Sequence, residues 1–372
     1  MLSALALLAL GCGAAPQRAV QRATLAESAA IAAALAPIPA PAPLALVATV
    51  TPDGASGADL PVSAAPEPER FLDHDDLPIL EALSTQEIVR VERGSGGRSL
   101  SFRATLADGT HAYFKPEQSF NGMSWYAEIA AYHLDRELGL GRVPPVVGRR
   151  IAWSELRPAA RGDARVGELA VGDDGTLRGA LLWWVPERLV PLPLDENWER
   201  WLRIEGEPDT ITPFQRPNHY RDARAAGRAA PRSSETPEPD VPGRAAELSD
   251  LIVFDYLAHN LDRWGTNNTN VRTVGAGGPL MFLDNAASFT LRRPRIGLMD
   301  TRLEHVQRFR RSTIDAVREL DIERFAARIE ADPLAPALDR RQLENLEERR
   351  RHLLAYVDSL VEAHGEEAVY PW

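Results

Sequence analysis

The chain has 372 residues, 44 % hydrophobic and 26 % charged, the profile of a globular protein with room for two lobes rather than of a disordered or membrane-spanning chain. Its 42 basic and 53 acidic residues leave a net charge of −11, a poor match to nucleic acid or anionic lipid. Cys12 is the one cysteine, which excludes an internal disulfide and a thiolate zinc cluster.

Leu2 to Leu10 is an apolar run too short to span a bilayer but of the length of a signal-peptide core. It runs into Ala9-Leu10-Gly11-Cys12, which resembles a bacterial lipoprotein cleavage site with Cys12 as the lipidated residue. Residues 1–12 are therefore expected to be a signal peptide. Residues 13–70 are Ala/Pro-rich, with Pro37, Pro39, Pro41 and Pro43 at alternate positions, and read as an extended tether. The expected location is the cell envelope, attached only by that lipid anchor, or the cytoplasm if the segment is not a signal.

Globular patterning starts near Phe71, and a short helix follows around Pro78 to Leu83. Glu87 to Arg93 and Leu100 to Leu106 read as strands. The Gly-rich turn between them contains Gly94, Gly96 and Gly97, whose backbone N–H groups can approach phosphate oxygens closely. A third strand, His111 to Phe114, ends at Lys115, the only lysine of the chain. Where Arg supplies every other basic side chain, a retained Lys marks a place that needs a compact ammonium. Strand, Gly loop, strand, turn, strand, Lys is the arrangement by which nucleotide kinases hold phosphates. A helix is expected from an N-cap at Ser124 to about Gly139. It carries Glu128, which could pair with Lys115 or reach a metal.

Val166 to Val185 continues strand-like, with Trp183 and Trp184 assigned to the core or a lobe junction. Residues 205–245 turn polar and Pro-rich, an expected insert with a mobile loop. A helix from Glu247 to about Asn260 delivers His259-Asn260-Leu261-Asp262-Arg263, and Asn267 follows Asp262 by five. Asp-x-x-x-x-Asn is the spacing of kinase catalytic loops, where the Asp handles the substrate hydroxyl proton and the Asn holds a metal. Leu280 to Leu283 is a short apolar strand ending at Asp284, a hard ligand suited to Mg²⁺ or Mn²⁺ on ATP phosphates. His259 reads as a packed or solvated histidine rather than a ligand, with no second His at metal-site spacing. The C-terminal part reads as helical, with a capping box at Ser312 and Asp315, and a charged helix from about Leu343 to Ala363. The runs Arg308 to Arg311 and Arg349 to Arg351 read as solvated faces.

Phe114-Lys115-Pro116, Ala127 to Arg136 and Arg142 to Arg149 resemble the secretory-pathway kinases of the four-jointed and Golgi casein kinase family. Asp250 to Leu257, Asn260 to Arg263 and Phe282 to Asn285 are most similar to the four-jointed branch. The resemblance implies an α+β, atypical two-lobed protein-kinase-like fold, with a β-rich N-lobe over 71–185 and a helical C-lobe over 186–372. It implies Lys115 on ATP phosphates, Glu128 on Lys115 or the metal, Asp262 as catalytic Asp and Asp284 on the metal. The expected function is ATP- and metal-dependent phosphoryl transfer to a hydroxyl, that of a protein Ser/Thr. The alternatives are a sugar kinase and a catalytically inactive, kinase-like binding lipoprotein.

Overall fold

The computed structural model describes residues 69–372 apart from Gly96 and the stretches 120–123, 195–196, 207–211, 215–242, 265–269 and 291–296. The expected signal peptide, nearly all of the tether, Gly96, Asn267 and most of the insert lie outside the described residues.

Two short strands, β1 (Arg70–Phe71) and β2 (His74–Asp75), lead into helix α1 (Asp76–Thr85), with Pro78 in its first turn. Five antiparallel strands follow: β3 (Ile88–Arg93), β4 (Phe102–Leu106), β5 (His111–Pro116), β6 (Val146–Ala152) and β7 (Thr176–Trp183), in the spatial order β3-β4-β5-β7-β6. Alternation assigns the faces. Phe102, Ala104 and Leu106 of β4 and Ala112 and Phe114 of β5 face a core shared with Leu177 and Leu181 of β7. Tyr113 and Lys115 are therefore on the other face of β5. Lys115 pairs across the ladder with Ala180, and Pro116 with Gly179. A Cβ on Gly179 would lie 2.7 Å from Pro116 Cα and closer still to the Lys115 carbonyl, so only glycine lets β7 approach β5 there.

Helix α2 (Trp125–Glu137) packs against this sheet, and nearly its whole circumference is buried, including Glu128, Asp135 and Arg136. Ser124 stands at its N-cap as expected, but its hydroxyl makes no cap bond; its backbone N–H donates to Ala286 O at 2.7 Å. A short helix α3 (Trp153–Leu156) and a 3₁₀ turn (Ala164–Glu168) separate β6 from β7. The strand expected across Val166 to Val185 is confined to Thr176–Trp183, because the Gly172 to Gly175 turn interrupts it.

After β8 (Leu189–Pro191) the chain is largely helical: α4 (Arg244–Ala258), α5 (Leu298–Glu304), α6 (Arg311–Glu319), α7 (Ile322–Glu330), α8 (Arg340–His364) and α9 (Glu366–Val369). A second sheet, β8 with β9 (Val271–Val274) and β10 (Leu280–Phe282) in the order β10-β9-β8, sets the end of β10 beside α2. Leu251, Phe254 and Leu257 of α4, Val317 of α6, Phe325 of α7 and Leu353 and Val357 of α8 share one core. Among the described residues no helix is long and apolar enough to cross a membrane.

Two expectations fail here. Ser312 and Asp315 form no capping box: α6 starts at Arg311, with Arg310 at the N-cap. The box stands instead at Asp339 and Gln342, opening α8. The Arg runs are not simply solvated. Arg310 is bonded to buried Asp250 at 2.9 Å, Phe309 between them is fully buried, and Arg349 donates to Leu257 O at 2.8 Å.

Candidate active site

The last residues of β5, the first turn of α2 and the end of β10 converge on one ammonium. Lys115 Nζ donates to Glu128 Oε1 at 2.5 Å and to Asp284 Oδ1 at 2.7 Å. Glu128 is 1 % exposed, held at the fourth position of α2, in the first turn, where a helix N-terminus favours negative charge. Its other oxygen accepts the Asn285 backbone N–H at 3.2 Å. The Asp284 side chain stays 40 % exposed, so one carboxylate supports the lysine from inside and the other faces open space. Burial opposes the charge on Lys115, but the Asp284 and Glu128 carboxylates outweigh it and hold its pKa above the ordinary value. Lys115 in turn holds the Asp284 carboxyl below its ordinary range. Asp284 takes a left-handed backbone, φ +59°, uncommon outside glycine and a form of local strain found at functional sites.

Lys115 and Asp284 sit on the wall of a cavity of about 660 Å³. Gly97, Ser99, Tyr113 and Trp184 line it as well. The glycine loop is fastened from outside: Arg165 Nη1 donates to Ser99 O at 3.0 Å, and Arg98 grips Glu168 with two bonds of 2.6 and 2.7 Å. Gly94 N–H donates to Ser101 O at 2.8 Å. A Cβ on Gly94 would collide with the Ser101 and Tyr113 hydroxyls, which are themselves hydrogen-bonded.

Asp262 is half-buried just beyond α4, and Asn260 Oδ1 accepts its backbone N–H at 3.1 Å. The next residue, Arg263, is fully buried. It donates to Asp255 at 3.0 Å, to Asn285 Oδ1 at 2.6 Å and to the Leu283 carbonyl. The segments that carry Asp262 and Asp284 are thus joined by one guanidinium, and Asn285 links both to Glu128. His259 is packed, with both ring nitrogens unbonded and burial pushing its pKa down to about 4.

The structure therefore brings Lys115, Glu128 and Asp284 together and places Gly94 and Gly97 in the loop above them, with Asp262 on the adjoining segment. Gly96 and Asn267 lie outside the described residues. Trp184, assigned to the core or a lobe junction, is not core: it is 41 % exposed on the cavity wall, 6.0 Å from the Tyr113 ring. Tyr113 and Arg263 were missed as site residues. Strand alternation from Lys115 marks Tyr113, two residues before it on the same face. Nothing local marks Arg263, whose partners are 8 to 22 positions away in sequence.

A β-rich lobe and a helical lobe with this cleft define a protein-kinase-like fold. A crystal structure of the Golgi casein kinase with Mn/ADP bound matches it with a TM-score of 0.59 at 18 % identity, over 81 % of this chain and 80 % of that one. The family model described as Golgi casein kinase, C-terminal, Fam20 matches residues 73–166 and 231–369, and the chain belongs to that family. The human extracellular serine/threonine protein kinase FAM20C is 27 % identical over 336 residues, covering 77 % of this chain and 54 % of the relative. Human glycosaminoglycan xylosylkinase is 27 % identical over 243 residues, 57 % of this chain and 56 % of the relative. Human four-jointed box protein 1 is 30 % identical over 267 residues, 65 % of this chain and 54 % of the relative. The chain spans about half the length of these curated relatives.

Proposed function

We propose that the protein is an ATP- and divalent-metal-dependent phosphotransferase acting on a hydroxyl, with protein Ser/Thr as the acceptor. The carrying observation is the sole lysine held between Glu128 and Asp284 on the wall of the cavity below the glycine loop. In this reading Lys115 and the backbone amide at Gly97 hold the phosphates; the Gly94 N–H, expected to do the same, is already given to Ser101 O at 2.8 Å and anchors the loop instead, and Glu128 keeps Lys115 aimed at the phosphates. Asp262 accepts the proton of the attacking hydroxyl as the γ-phosphoryl group passes to that oxygen and ADP leaves. Catalysis is mainly positioning and charge neutralisation.

The metal fits the residues present. Asp284 offers an exposed carboxylate beside the lysine, and Asn267 is assigned as its companion. Among the described residues no trio of His, Cys, Asp or Glu forms a self-sufficient cage. That suits Mg²⁺ or Mn²⁺, which are held by one or two protein oxygens together with phosphate. When bound, the ion would neutralise charge on the phosphates. The likeness to a Golgi casein kinase crystallised with Mn/ADP supports the same pair. The lobe boundaries 71–185 and 186–372 and the lipid-anchored envelope location belong to this proposal.

A sugar hydroxyl is the second reading, favoured by the similarity to the xylosylkinase. Incubation with γ-phosphate-labelled ATP and Mg²⁺ or Mn²⁺, against peptide and glycan panels, tests both. Label on peptide, lost in Asp262→Ala, supports the protein kinase; label on glycan selects the sugar kinase. Equal background for wild type and Asp262→Ala on both panels overturns the enzyme reading in favour of an inactive binding protein.

A further inference from the structure

Trp264, two residues after Asp262, is 1 % exposed and enclosed by aromatic rings. Trp198 stacks on it, centroids 5.5 Å apart and planes within 10°. Phe214 meets it edge-on at 4.8 Å and also touches Trp198 at 4.9 Å. Trp198 and Phe214 fall between residues 167 and 230, outside both stretches that the family model matches. Their segment is fastened to the helical lobe. Leu202 O accepts the backbone N–H of Gln307 at 2.7 Å, and Gln307 Oε1 accepts the Ile204 N–H at 2.8 Å. Buried Arg302 donates to Pro213 O at 2.9 Å, next to Phe214. Arg302 also feels the charge of Asp262. The short segment from Asp262 to Trp264 thus has an ionic anchor at Arg263 and an aromatic anchor at Trp264, while Asp262 itself stays accessible.

We propose that Trp198 and Phe214 are positioning residues for Asp262: the three-ring stack they form with Trp264 fixes the carboxylate that meets the acceptor hydroxyl, from a segment outside the family pattern. Among the described residues the rings of the stack meet one another and His305 rather than Lys115 or Asp284, so the effect falls mainly on the transfer step. This rests on the phosphotransferase reading for its kinetic consequence but not for its structural one, and the two are measured separately.

Amide hydrogen exchange of wild type and Phe214→Ala tests the structural part. Exchange at residues 261–264 is expected to quicken about tenfold or more, while amides in the middle of α4 are unchanged. Unchanged exchange at 261–264 overturns the proposal, whether or not the protein transfers phosphate. In the labelled-ATP assay, Phe214→Ala is expected to lower kcat about tenfold or more with KM for ATP within about twofold, and Trp198→Phe, which keeps a ring, to stay within about threefold of wild type. A KM rise matching the kcat loss, or full kcat in Phe214→Ala, overturns it too. If Phe214→Ala does not fold, Phe214→Leu carries both measurements with the same expected directions. An inactive wild type defeats the functional reading, and the exchange result then decides the proposal.

Discussion

His259 shows how burial sets the chemistry of a single side chain. It caps α4 in the left-handed conformation, φ +59°, is 3 % exposed, and has Arg349 and Arg302 as its charged neighbours. Burial first, and those two cations second, push its pKa to about 4. An unfolded histidine takes its proton near 6.5, so the unfolded chain binds that proton more readily than the folded one. Stability present at neutral pH is therefore lost as the pH falls from about 6.5 towards 4, about 2 kcal/mol of it by pH 5. Urea unfolding of wild type and His259→Asn at pH 7 and 5 checks this. Asn does not titrate and tolerates the left-handed backbone, so the variant should lose less over that interval. Part of this residue was legible in sequence: no partner at ligand spacing argued against a metal ligand, while packed or solvated stayed open until the fold buried it. Its pKa depends on arginines 43 and 90 positions away in the chain.

At the scale of elements, the site depends on strands lying close enough to project a lysine. The β5–β7 pair narrows at Gly179, which has no Cβ to strike the Lys115 carbonyl. Gly179→Ala should push the strands apart just where Lys115 leaves the sheet. The expected loss is about 1–3 kcal/mol by urea unfolding, with weaker nucleotide binding, since overpacking here displaces backbone rather than a flexible side-chain end. Strand alternation, the glycine turn and the single lysine made β3 to β5 readable in advance. The end of α2 was readable from Gly139, whereas the start of α6 was not. A Ser-x-x-Asp pattern resembled a cap, but burial of Phe309 and the bond from Arg310 to Asp250 set the helix register instead. Tertiary packing is worth more than one cap bond.

Across the whole molecule, the two lobes meet where β5 and α2 face β10. On the proposed function a nucleotide with its metal would engage both sides, so it should stabilise the folded state by mass action, about 2.7 kcal/mol at a hundredfold excess over Kd. Thermal melting with ATP and Mn²⁺ is the measurement. The shift should vanish in Asp284→Ala, which removes the proposed metal ligand, and persist in Asp262→Ala, which removes only the proposed proton acceptor. A shift that survives Asp284→Ala would place the ion elsewhere.

Residue identity and short-range spacing settled the parts of this protein governed by local chemistry. The strand–loop–strand order, the solitary lysine, Asp262 just beyond a helix and Asp284 at the end of an apolar strand are all visible in one dimension, because period-two alternation, turn glycines and helix caps act over a few residues. The meeting of Lys115 with a carboxylate 169 positions later, the buried arginine joining the two acidic segments, and the aromatic rings closing on Trp264 were decided by tertiary structure alone. Burial and charge pairing depend on which distant surfaces are pressed together, and sequence spacing carries no direct record of that.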